Sequence, residues 1–144
     1  MDVFLANEQD LAVDEARLSS LARHVLVTEE IDDSAELSIL CVTPDHIREL
    51  NMRFAGNDYS TDVLAFPMGE DDEGELILGD VIICPRVAEE NAKETGRSLD
   101  QELETLLVHG TLHLLGYDHV AAEDRSRMDN RLREVLGSFR RSEN

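Results

Sequence analysis

Strand-like segments of this chain are confined to its first 85 residues, and from Pro85 onward the apolar spacing is helical to the end. That segregation points to an α+β domain, a small sheet with helices packed against it. The 144 residues fit one domain spanning 1–144. A chain of that length buries a substantial core without help from disulfides or a partner chain.

The local signals place the elements. Val13, Ala16, Leu18, Leu21, Val25 and Leu26 recur at helical spacing and predict a helix over 13–29. Residues 35–43, AELSILCVT, read as a strand. Thr43 as N-cap and Pro44 in the first turn open a second helix, with Ile47, Leu50 and Phe54 on its apolar stripe and Gly56 at its end. NDYST (57–61) is a polar loop in which Asn57 and Asp58 fit a turn, VLAFPM (63–68) a short strand, and EDDEGE (70–75) an acidic turn. ELILGDVIIC (75–84) is a strand or bent pair with a bulge or kink at Gly79-Asp80. Three helices follow: 85–96, one opened by a Ser98/Gln101 capping box, and one over 123–140.

The net charge of −19 combines 32 acidic residues with 13 basic ones, of which Lys93 is the one lysine. Such a field repels nucleic acid at long range. It also suits a salt-rich cytoplasm, where the Debye length falls to about 3 Å at 1 M salt. No run of 18 apolar residues suggests a membrane span, and the N-terminal sequence lacks the basic and apolar regions of a cleaved leader. Cys41 and Cys84 form no CxxC and read as buried thiols of a reducing compartment.

Three of the five histidines fall in HGTLHLLGYDH, residues 109–119. His109 and His113, four apart, project from one helix face. Gly116 permits the positive-φ turn that ends the helix, and His119 follows three residues later, placed to swing back. Three neutral imidazoles with a fourth position open to water describe a catalytic zinc site. The frame H-x-x-x-H-x-x-G-x-x-H is that of the metzincin proteases with one change: Gly110 stands where they carry the general-base glutamate. Peptide hydrolysis therefore loses its base, whereas metal activation of water, to a pKa near about 7, survives. Asp118 either hydrogen-bonds a ligand imidazole or caps the turn. His24 and His46 read as ordinary surface positions.

HGTLHLLGYDH resembles the signature of the YbeY family, the bacterial endoribonucleases of ribosomal RNA maturation. TDVLAFP (61–67), LGDVIICP (78–85), Leu50-Asn51 and the leucine-rich helix before His109 extend the likeness over roughly residues 35–137. The resemblance implies a small mixed β-sheet packed against several helices, with the metal site at the end of a helix. It implies His109, His113 and His119 as metal ligands, usually for one Zn²⁺ per chain. Nickel or another divalent ion fits three imidazoles nearly as well. The implied activity is metal-dependent cleavage of single-stranded RNA in 3′-end maturation of 16S ribosomal RNA and in ribosome quality control. The implied partners are ribosomal RNA and the small ribosomal subunit, in the cytoplasm, with no membrane and no organic cofactor.

One departure bears on mechanism. Phe54 and Ala55 stand where the family pattern has Tyr-Arg, and that arginine would hold or stabilise a phosphate. Arg53 and Arg86 are the candidates to replace it, although two residues apart on a helix differ by about 200° around the axis. Each is equally an ordinary surface or packing arginine. Asp62 and Asp80 either line the cleft or satisfy local amides, with structure the favoured reading. Two other functions remain open: a ribosome-maturation factor whose metal is mainly structural, and a metzincin-like hydrolase of peptides or amides. Convergence of Arg48, Arg53 and Arg86 on the metal would favour the enzyme; an acidic rim would favour the factor.

Overall fold

The computed structural model describes residues 1–70, 76–118 and 120–143. Of the expected acidic turn over 70–75, only Glu70 lies among them, ending a strand; His119 lies outside them. In chain order the elements are β1 (Asp2–Asn7), α1 (Glu15–Thr28), β2 (Glu36–Cys41), α2 (Pro44–Ala55), β3 (Val63–Glu70), β4 (Leu76–Ile83), α3 (Pro85–Thr95), α4 (Leu99–Leu114) and α5 (Ala122–Ser142). The architecture is α+β: a mixed sheet of order β1-β2-β4-β3, in which β1, β2 and β4 are parallel and β3 is antiparallel to β4.

The caps explain where the helices start and stop. Thr43 Oγ1 accepts the His46 N–H, and Gly56 closes α2 in the left-handed region at φ +73°. Ser98 Oγ accepts the Gln101 N–H while the Ser98 N–H donates to Gln101 Oε1, so the capping box opening α4 is complete. Gly116, at φ +102°, lets the chain turn away after α4.

β1 is an addition to the sequence reading, which gave residues 1–12 no element. It pairs with β2 in register from Asp2↔Glu36 to Asn7↔Cys41. Only Val3 and Leu5 pack against the core, and Phe4 between them is exposed, so the inward–outward alternation is masked by an apolar residue on the outer face. β4 is one strand, not a bent pair. Its bulge is real: Glu36 pairs with Ile77 and Leu37 with Gly79, leaving Leu78 over. Gly79 has φ +135°, and a Cβ there would stand 2.1 Å from the Phe66 carbonyl oxygen.

One sheet face is covered by α1 and α4 with α3 and α5 alongside. Leu21, Leu37, Val81, Leu107, Val108 and Leu112 are fully buried there, at about 1.5–3 kcal/mol for each large side chain removed from water. Among the described residues, the other face carries α2, through Ile47 against Val42, Ile82 and Cys84, with Val87 of α3 packed on the same cluster. α4 packs against α1, α3, α5, β3 and β4, so it is held from several sides. Glu104, buried on α4, is paired with Arg17 of α1 at 3.1 Å and Arg140 of α5 at 3.4 Å. A buried carboxylate is tolerated only with such partners.

His24 departs from its expected surface role. It is half-buried, with its ring nitrogen 2.7 Å from Ser138 Oγ and its ring 5.4 Å from Phe139, and so joins α1 to α5. Both cysteines are fully buried, and burial pushes the Cys41 thiol up to about 11. Because the thiolate is the reactive form, we expect neither cysteine to react with an alkylating reagent at pH 8 until the protein unfolds. Mass spectrometry of native and denatured samples checks this; fast native labelling of Cys41 would contradict the burial. Among the described residues, no helix is long and apolar enough to cross a membrane.

Candidate metal centre and cleft

The second half of α4 divides its side chains by direction. Val108 and Leu112 enter the core, and the Thr111 hydroxyl donates to the Leu107 carbonyl at 2.7 Å. Gly110 faces the sheet, where an added Cβ would meet Val81 Cγ1 at 2.8 Å and Val63 Cγ2 at 3.3 Å. The helix therefore lies on β3 and β4 as closely as a bare backbone allows. A glutamate at 110, the protease base, has no room. His109 and His113 occupy the remaining face, one turn apart, His109 half-buried and His113 exposed.

Both histidines line one recess of about 370 Å³, whose other walls are Phe54, Ala55, Val63, Leu64, Ala65 and Phe66. It runs along the edge strand β3, between α4 and the end of α2. Phe54 does not belong to the buried stripe of α2 as its spacing suggested. It is 61% exposed, packs on Phe66 of β3 and forms part of the cleft wall.

The loop that connects α2 to β3 is clamped. Asn51, buried in α2, donates from Nδ2 to the Tyr59 carbonyl at 3.0 Å, and the Arg48 guanidinium holds Asp58 at 2.7 Å, which keeps that carboxyl below its ordinary range. Asp62 receives a hydrogen bond from Asn91 of α3 at 3.2 Å. Its role is to fasten the start of β3. Asp80 lines a different recess on the open sheet face, with Phe4 and Ser38.

Beyond α4, Asp118 Oδ1 accepts the Val120 N–H at 2.9 Å, which is the capping alternative of the sequence reading. Tyr117 donates to Glu29 at 3.1 Å, and Arg131 pairs with the same carboxylate. This contact, from a residue two before His119 to the end of α1, left no trace in local spacing.

The arginines do not converge. Arg48 is paired with Asp58, Arg53 with Glu49 at 3.3 Å and Arg86 with Asp10 at 3.5 Å. α2 stays helical through Ala55, and Arg53 is not among the residues that line the recess. Among the described residues that line the recess, none is an arginine or a lysine.

Two imidazoles of α4 in one solvent-reached recess suit a borderline-soft divalent ion such as zinc. The donor chemistry fits, with His119 the third nitrogen in the sequence frame.

Comparison with known proteins identifies the family. The family model described as "Endoribonuclease YbeY" matches residues 4–140. Proteins named endoribonuclease YbeY are 41% identical in Frankia casuarinae, over 96% of this chain and 75% of the relative. In Thermobifida fusca the relative is 40% identical, over 99% of this chain and 96% of its own length. In Acidothermus cellulolyticus it is 43% identical, over 97% and 92%. The solution structure of TM1509 from Thermotoga maritima superposes with a TM-score of 0.64 at 32% identity, over 97% of this chain and 93% of that one. A likeness of this extent, running through both the sheet and the histidine helix, makes the chain a member of the endoribonuclease YbeY family.

Proposed function

We propose that this chain is a hydrolytic endoribonuclease that cleaves single-stranded RNA phosphodiesters in ribosomal RNA processing, using one divalent metal ion held by His109, His113 and His119. The observation that carries the reading is the placement of His109 and His113 on one wall of a recess open to solvent at the sheet edge. The relatives' shared description as endoribonucleases supports the reaction class. Zinc is the ion the imidazole set suits best, and nickel the next. When bound there, zinc supplies a Lewis acid that polarises a phosphoryl oxygen and brings the pKa of water to about 7.

The chain's own residues do the rest. α4, fixed on the sheet at Gly110, orients both imidazoles toward the recess. β3 and the end of α2 form the opposite wall. The finer assignment is maturation of the 3′ end of 16S RNA on the small ribosomal subunit in the cytoplasm, together with ribosome quality control. A maturation factor with a structural metal is the second reading; it is favoured by the absence of arginine from the described recess walls. The peptidase reading is the weakest, because the position of its base packs against Val81.

Elemental analysis combined with cleavage of single-stranded RNA before and after chelation tests the proposal. We expect one zinc equivalent per chain, loss of cleavage on chelation and recovery with added Zn²⁺. Cleavage that persists after complete metal removal would reject it. Metal retention with loss of folding on chelation, and no cleavage at any stage, would establish the structural role instead.

A further inference from the structure

We propose that Phe54, backed by Phe66, is a nucleobase platform beside the histidine pair: a base next to the cleaved phosphate stacks on the exposed Phe54 ring. The inference rests on the reading of the chain as a single-strand RNA hydrolase and names how its cleft grips the substrate.

Single exposed hydrophobic residues are common and mean little. Phe54 differs in three ways. Its ring is 61% exposed yet oriented, because it packs on Phe66 with centroids 5.3 Å apart and planes inclined at 59°, the tilted geometry that aromatic pairs prefer. It lines the same recess as His109 and His113. And it does so where electrostatic grip is weak: the chain carries −19, and Arg48, Arg53 and Arg86 are each paired with a carboxylate.

A protein that binds RNA through its phosphates needs free cations in a groove. Stacking needs none. Every base offers a π-face, so an aromatic platform accepts single strands of any sequence, and each stacked base contributes about 1–3 kcal/mol. Base-paired RNA keeps its bases stacked on one another and does not offer a free face, so a platform of this kind selects unpaired substrate. The Arg53 guanidinium lies 6.0 Å from the Phe54 centroid, which puts a cation shared with Glu49 at the platform's margin.

The test is the kinetics of the metal-loaded protein on a single-stranded RNA oligonucleotide. A companion series carries one abasic position, moved stepwise across the cleaved bond. For Phe54→Ala we expect KM to rise about tenfold, within the range of one stacked base, with kcat within about twofold and zinc content unchanged. Phe54→Tyr should keep the wild-type KM within about twofold, since its ring stacks as well. One abasic position should cost the wild type the same factor and cost Phe54→Ala nothing further, as two changes that remove one contact must. The wild-type to Phe54→Ala ratio should hold between about 0.1 and 1 M KCl, because stacking is not screened. Equal KM for wild type and Phe54→Ala would overturn the platform. So would an abasic penalty that survives in Phe54→Ala. If the wild type cleaves nothing, the hydrolase reading fails; affinity of the same oligonucleotides, followed by fluorescence anisotropy, then decides the platform by the same comparisons.

Discussion

His113→Ala is expected to lose at least a hundredfold in the rate of single-stranded RNA cleavage and to bind zinc far more weakly. The scale follows from metal sites in general: removing a group that merely orients a ligand costs about 10–100-fold in affinity or activity, and removing the ligand itself costs more. The fold should not notice. His113 is exposed at the last turn of α4, away from the packing of Val108 and Leu112, and substitutions at such positions stay within about 0.5 kcal/mol. That comparison has to be made with both proteins stripped of metal, because an ion that binds only the native state raises apparent stability by mass action. Cleavage by the purified variant at the wild-type rate would reject the metal mechanism outright. A variant that is inactive but also unfolded when metal-free would instead show that His113 has a structural role its exposure does not suggest.

The largest stability effect is expected at Gly79→Ala. The residue sits at φ +135°, where side chains are strained, and the new Cβ would be 2.1 Å from the Phe66 carbonyl oxygen. That oxygen is backbone, in the antiparallel partner strand where Phe66 faces Asp80 and Pro67 faces Gly79. No rotamer change relieves the clash; β3 must separate from β4. Losses above about 4 kcal/mol mark this kind of lesion. Gly96→Ala is the control. It too has positive φ, at +72°, but nothing lies within 4 Å of its Cβ position, so it should cost only the left-handed conformation, about 1–2 kcal/mol. Urea unfolding of the two variants checks both numbers. Similar costs for both would mean that the strands yield more readily than their register implies. Since β3 forms one wall of the histidine recess, whatever Gly79→Ala leaves folded should also have lost RNA cleavage.

The features legible in the sequence were those governed by neighbours within a few residues. Thr43, Ser98 with Gln101, Gly56, Gly96 and the bulge at Gly79 all announced themselves because caps and turns depend on local backbone chemistry. The shared face of His109 and His113 followed from helical spacing alone. What stayed hidden depended on partners distant in the chain. β1 has too few inward residues to display a period, and β2 defines it. Phe54 continued the apolar stripe of α2, but it meets the edge strand at Phe66 and stays exposed, so the same spacing leaves it in the cleft. His24 looked solvated among charged neighbours, and only α5, more than a hundred residues later, supplies Ser138 and Phe139. The arginines were countable but not placeable, since which carboxylate captures each one is settled by tertiary structure. Gly110 argued against a protease by its missing carboxylate; the contact with Val81 adds that the position is spoken for sterically.

The parallel pairing of β1 with β2 has a consequence for how the chain assembles. β2 takes its own second neighbour, β4, from residues 76–83. Both pairings join residues far apart in the chain: Asp2 meets Glu36, and Glu36 meets Ile77. Closing such distant pairings costs loop entropy before any contact repays it, which slows folding. The N-terminal strand lies at an edge of the sheet, so its whole ladder depends on the single neighbour β2.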